Sequence, residues 1–182
     1  HPRSFADDPT RVLRALRFSL RYGYRIEDKS EEWMNEAITG GYLDTVSGER
    51  VCKELRLMFT ESPTQGPCRL EVAGVLPAVY PGLRFHREVL NGLQDLIEWG
   101  QEAKGGASLA AKPEGWLMVL GCCAMGLSSQ ERWNLARQLR LSREERAPLI
   151  DSGVPWCQAT SLLLGASSQP PNSMVERALR EI

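Results

Sequence analysis

The stretch SFADDPTRVLRALRFSLRYGYR (4–25) decides how this chain reads. Asp8-Pro9 is a helix start: a carboxylate can cap free backbone N–H groups, and proline suits the first helical position. The helix expected from Pro9 runs over 9–24, with Gly23 as a soft end. At about 100° per residue, with Arg11 at 0°, Arg14, Arg17, Arg21 and Arg25 fall near 300°, 240°, 280° and 320°. Val12, Leu13, Leu16 and Leu20 fall between about 100° and 200°, and Phe18 and Tyr22 flank Arg11 at about 340° and 20°. One face is apolar, and the opposite face is an arginine stripe with two aromatics beside it. An ordinary solvated amphipathic helix explains the apolar face. It does not explain why every basic residue is Arg and none is Lys.

The same pattern continues outward. A second helix is expected over 31–40, with Glu31 and Glu32 favouring its dipole and Gly40-Gly41 ending it. A third follows Ser47 and runs through Phe59 with Val51, Leu55 and Met58 as its stripe. Residues 62–67 form a turn cluster and mark the expected boundary between an N-terminal unit (1–62) and a C-terminal one (63–182). Beyond it the reading gives a short helix over 69–76 ended by Pro77, a helix over 87–99, and a small-residue loop at 104–112. Helices over 113–125 and from Ser128 or Ser129 to about Arg140 come next. Weaker ones are expected from Ser142 and Pro155, with a last one over 173–182. No alternating strand pattern, internal repeat or low-complexity tract appears, so the fold class is all-α.

Composition bounds the rest. The chain has 182 residues, is 42% hydrophobic and 25% charged, and carries a formal charge of −1. These values fit a soluble globular protein able to bury a sizeable core. No apolar run approaches the ~20 residues of a membrane helix. No leader follows His1, and a start at His-Pro suggests a chain cut from something longer. The five cysteines (52, 68, 122, 123, 157) are odd in number and contain no C-x-x-C, and only His1 and His86 are available beside them. Reduced, mostly buried thiols in a cytoplasmic protein are expected, with no metal site. Cys122 and Cys123 read as core. The charge is uneven: residues 1–25 hold six Arg against Asp7 and Asp8, and the remainder is acidic. Such a local basic block points to an anionic partner.

Asp8 and Arg11 lie three apart at the helix start. A carboxylate only accepts hydrogen bonds and a guanidinium only donates them. Side by side they offer acceptor then donor, which complements the amine-beside-ring-nitrogen edge of cytosine and adenine. Uracil and guanine place a carbonyl against the carboxylate. A fixed Asp–Arg pair can thus select C and A without a template, while Arg14 and Arg17 further along can hold phosphate or base.

At these residues the sequence resembles a known family. Asp7-Asp8-x-x-Arg11, continuing through Arg14 and Arg17-Phe18, is similar to the neck motif of class II tRNA nucleotidyltransferases and bacterial poly(A) polymerases. GERVCKELRLMF (48–59) is similar to their E-R-x-x-x-E-L helix, and YRIEDKSEEWMNEAI (24–38) fits the short helix between them. The resemblance is strong over about residues 3–60; beyond that it rests on an all-helical body and helix ends such as LARQLRLS (135–142). It implies a helical neck followed by a helical body. Asp8, Arg11, Arg14 and Arg17 would contact an incoming CTP or ATP, with Asp7 in support. Arg50 and Glu54 would brace the neck; four apart on one helix, they could also pair with each other. Arg21 and Arg25 are expected to bind RNA, with the acceptor arm and 3′ end of tRNA as partner.

The family's catalytic head, with its D-x-D pair holding two Mg²⁺ ions, precedes this motif. The chain contains no D-x-D, so no catalytic residue or cofactor is assigned to it, and Mg²⁺ with ATP or CTP is implied for a head N-terminal to it. The alternative is a non-catalytic module that binds RNA or a protein. His86-Arg87 is not the His-Asp pair of a phosphohydrolase body, and His86 reads as an ordinary turn residue. Trp99, Trp116, Trp133 and Trp156 read as core. Arg132, Arg137, Arg140, Arg143 and Arg146 read as a solvated helix face, with tRNA backbone contact as the sharper option.

Overall fold

A computed structural model describes residues 3–85 and 115–151. All regular structure among them is helical: α1 (Ser4–Asp7), α2 (Thr10–Tyr22), α3 (Asp28–Thr39), a 3₁₀ turn (Tyr42–Thr45), α4 (Gly48–Glu61), α5 (Gln65–Val72), α6 (Val75–Val79), α7 (Gly115–Cys123), α8 (Ser129–Gln138) and α9 (Arg143–Asp151). The all-α expectation holds. The helices expected over 87–99, from Pro155 and over 173–182, the loop at 104–112, and His86, Trp99, Trp156 and Cys157 lie outside the described residues.

Local chemistry sets the helix ends. Asp8 is extended (φ −142°, ψ 90°), the conformation that both a following proline and a helix cap favour, and Pro9 already has helical angles. Gly23 ends α2 with φ 67°, a value that suits glycine. A Cβ there would meet nothing within 4 Å, so backbone angle rather than space selects glycine. α3 starts earlier than expected, at Asp28, because Glu27 serves as the extended cap and Asp28 and Glu31 share the first turn. The helix expected over 69–76 is instead two. Gly74 (φ 71°) separates α5 from α6, and Pro67 and Pro77 sit in their first turns, where no helical N–H is needed. Ser128 caps α8 in a full capping box with Glu131. At the other end Arg140 N–H donates to Arg137 O and Leu141 N–H to Ala136 O, with Arg140 left-handed (φ 54°), a Schellman ending built on arginine.

One buried apolar cluster runs from Val12 in α2 to Leu149 in α9. Leu16, Leu55, Phe59, Leu70, Leu120 and Leu135 are all buried in it. Within it α2 packs on α4 and α5, α4 on α7, and α9 on α7 and α8. Arg56 of α4 bonds Glu145 of α9 and lies 4.4 Å above the Trp116 ring of α7, tying three helices together. Cys122 and Cys123 are core, and Cys68 is half-buried. Two expectations fail. Trp133 is 39% exposed and stacks under Arg137, and Arg132 is 7% exposed with a buried Nε that lacks a hydrogen-bond partner. The reason lies in register: Arg132, Leu135, Ala136 and Leu139 form the inward i, i+3, i+4, i+7 row of α8, and Trp133 falls one position off it.

Among the described residues, no helix is long and apolar enough to cross a membrane.

Candidate nucleotide-selecting and RNA-binding site

The start of α2 holds Asp8 by three bonds to one oxygen. Asp8 Oδ1 accepts from the Thr10 hydroxyl at 2.6 Å, from Thr10 N–H at 3.3 Å, and from Arg50 Nη2 of α4 at 3.0 Å. Arg50 also donates to Thr10 Oγ1 at 3.2 Å. The Thr10 hydroxyl, helped by the Arg50 charge, holds the Asp8 carboxyl below the usual aspartate range against the opposing effect of burial. Asp8 is therefore a fixed, ionised acceptor.

Its second oxygen points to Arg11. Asp8 Oδ2 lies 4.0 Å from Arg11 Nε, close enough for charge pairing and too long for a hydrogen bond. Arg11 Nη1 donates to the Ser4 hydroxyl at 2.6 Å and to Ser4 O at 3.2 Å. Helix α1 thus pins one arm of the guanidinium. An open carboxylate oxygen and the remaining guanidinium donors stand side by side at an exposed helix start, which fits the amine-and-ring-nitrogen edge of a cytosine or adenine.

The other expected residues divide. Arg14 is exposed, with its guanidinium 6.0 Å from the Phe18 ring. Arg17 turns inward. Its side chain is 8% exposed and is held by Glu54 (Nη2 to Oε2 3.2 Å) and Glu61 (Nη1 to Oε1 3.1 Å) of α4. Phe18 covers it, with the ring centre 4.5 Å from the guanidinium. Glu61 also accepts from Arg21 at 3.3 Å. Arg25 pairs with Asp28 at 2.7 Å, both largely open to solvent. Arg50 and Glu54, which could have paired along α4, each turn to α2 instead. Glu61 went unnoticed in the sequence, although it lies one i, i+7 step beyond Glu54 on the same face of α4. Asp7 is exposed and Asp8 is committed to Thr10 and Arg50, so the adjacent carboxylates do not converge. Among the described residues no three His, Cys, Asp or Glu gather as a metal site. The Mg²⁺ of nucleotidyl transfer has no fitting donor set among them.

The chain's homologues are CCA-adding and A-adding tRNA nucleotidyltransferases, and solved CCA-adding enzymes share its all-α fold. Over 85% of its length it is 31% identical to an A-adding tRNA nucleotidyltransferase of Geobacter sulfurreducens, of which it spans 18%. It is 28% identical to a CCA-adding enzyme of Pseudomonas entomophila over 96% of its length, spanning 43% of that protein. The Thermotoga maritima CCA-adding enzyme, solved in complex with tRNA, superposes on the whole chain with a TM-score of 0.77 at 27% identity. CCA-adding enzyme structures with ATP and with CTP give the same score and identity. The chain spans less than half the length of these relatives. No protein-family model matches it.

Proposed function

We propose that this chain is the neck and body of an enzyme that extends tRNA 3′ ends without a template, choosing CTP or ATP at Asp8 and Arg11 and holding the tRNA acceptor arm. The observation that carries the reading is the pinned pair. Thr10 and Arg50 fix one oxygen of Asp8, Ser4 fixes one arm of Arg11, and the facing acceptor and donors stay open. Arg14 lies one turn further along the exposed face and would contact the same nucleotide. Arg17 would act through the frame, since Glu54 and Glu61 occupy its guanidinium. Arg50 and Glu54 brace α4 against α2, and Asp7 would support the helix start. Arg21 and Arg25 would meet the RNA backbone. The likeness to CCA-adding enzymes solved with ATP, CTP and tRNA supports the assignment of both ligands.

The reacting groups are assigned to a catalytic head outside this chain, where Mg²⁺ would supply Lewis-acid charge stabilisation. This chain's residues bind and orient the base. In a head-containing enzyme, Arg11→Ala is expected to lower CTP and ATP incorporation about 5- to 150-fold, the value of about 1–3 kcal/mol for a two-point base contact. Asp8→Asn, which puts an amide N–H where an acceptor stood, is expected to raise relative use of UTP. Unchanged incorporation by Arg11→Ala would overturn the selection mechanism.

A further inference from the structure

The C-terminal end of α2 carries an aromatic ladder that base selection does not use. Phe18 and Tyr22 lie 5.9 Å apart, and Tyr22 and Tyr24 5.5 Å apart, with neighbouring planes tilted by 35° and 30°. Tyr22 is 53% exposed and Tyr24 67%. Rings left this open contribute little to folding, so packing does not account for them. Arginines border them: Arg21 lies 5.4 Å from the Tyr22 ring, Arg14 6.0 Å from Phe18, and Arg25 follows Tyr24 directly. Gly23, with its left-handed angle, folds the chain back so that Tyr24 reaches Tyr22.

We infer that Phe18, Tyr22 and Tyr24 form a stacking platform for unpaired bases of single-stranded RNA, with Arg21 and Arg25 on the backbone. Aromatic faces alternating with cations are the chemistry of sequence-tolerant single-strand binding. The placement supports it. Tyr22 shares the exposed face of α2 with Arg11, eleven residues or about 17 Å further along the helix axis. At about 3.4 Å per stacked nucleotide that spans about five nucleotides. A single-stranded RNA laid along this face from Asp8 and Arg11 would pass over the rings. The inference rests on the RNA-binding reading above and adds to it which part of the RNA is held and by what contact.

The test is fluorescence anisotropy of the full 182-residue chain with two labelled RNAs: a single-stranded heptamer ending in ACCA, and a blunt hairpin with no unpaired end. Tyr22→Ala and Tyr24→Ala are expected to weaken heptamer binding about 5- to 150-fold each. The salt dependence should keep its slope, because stacking releases no counterions. Hairpin affinity should stay within about twofold, and Tyr24→Phe should retain heptamer binding, since stacking needs the ring and not the hydroxyl. Both tyrosines are exposed, so an unchanged thermal midpoint separates lost contact from lost fold. If the alanine variants bind the heptamer like the unchanged chain while Arg21→Gln weakens it, stacking is refuted and phosphate binding stands; the ring face would then belong to a protein partner. If the unchanged chain binds neither RNA, the RNA reading itself falls, and this inference with it.

Discussion

Arg17 separates two accounts of the arginine stripe, and Glu54→Ala decides between them. The resemblance makes Arg17 a nucleotide contact, whereas the structure buries it between Glu54 and Glu61. Removing one partner of a buried ion pair costs about 3–5 kcal/mol when the remaining charge is left alone. Here Glu61 still holds Nη1, so Glu54→Ala should cost less, about 2–3 kcal/mol, close to the value of one or two hydrogen bonds to a charged group. With a urea slope of about 2 kcal/mol/M, the midpoint should fall by about 1–1.5 M at unchanged slope, followed by circular dichroism. Arg17→Met combined with Glu54→Leu should recover much of that loss, because apolar side chains of similar volume carry no desolvation penalty. In a head-containing enzyme, Arg17→Met should lower activity in proportion to the folded fraction, with the KM for CTP and ATP unchanged. A loss below about 0.5 kcal/mol for Glu54→Ala, together with a raised KM for Arg17→Met in a fully folded enzyme, would refute the strut and return Arg17 to the nucleotide.

Two further tests address the frame. A Cβ on Gly48 would lie 1.6 Å from Gln138 O and 2.7 Å from its carbonyl carbon, where the start of α4 meets the end of α8. Backbone cannot rotate away as a side chain can, so Gly48→Ala is expected to cost at least about 1–3 kcal/mol in urea unfolding, and full stability would show that the two helix ends do not touch. The second concerns pH. Because Thr10 and then Arg50 lower the Asp8 pKa in the folded chain, the stability Asp8 contributes is present above the unfolded aspartate pKa and is lost as pH falls through the lower folded value. Thr10→Val should move the Asp8 titration, read by carboxyl carbon NMR, up toward the ordinary aspartate range, and an unmoved titration would remove Thr10 as its cause.

The fold was legible wherever a local rule acted alone. Asp8-Pro9, Gly23, Gly40 and Ser128 each end or start a helix for reasons carried by one or two residues, and each does so in the structure. The failures occurred where a second rule competed. Pro77 read as a stop, yet the first turn of α6 tolerates proline, and Gly74 makes the actual break. Arg132 read as a surface charge because its neighbours are charged, although its row on α8 is otherwise Leu135, Ala136 and Leu139.

The split within the arginine stripe was half legible. Arg17, near 240° on the wheel, sits only about 40° from the edge of the apolar sector, while Arg11, Arg14 and Arg21 lie further out. Angle alone therefore marks Arg17 as the arginine most exposed to burial. Its partners were hidden for another reason: Glu54 and Glu61 are 37 and 44 residues away, and only the packing of α4 on α2 brings them within reach. The same packing delivers Arg50 to Asp8 across 42 residues. One face of α4 thus does two things to α2, neutralising Arg17 at its middle and fixing Asp8 at its start. The motif in α2 read by itself shows four arginines of one kind. Read against α4 it shows one internal anchor, Arg17, and an outer row, Arg11, Arg14 and Arg21, that faces solvent.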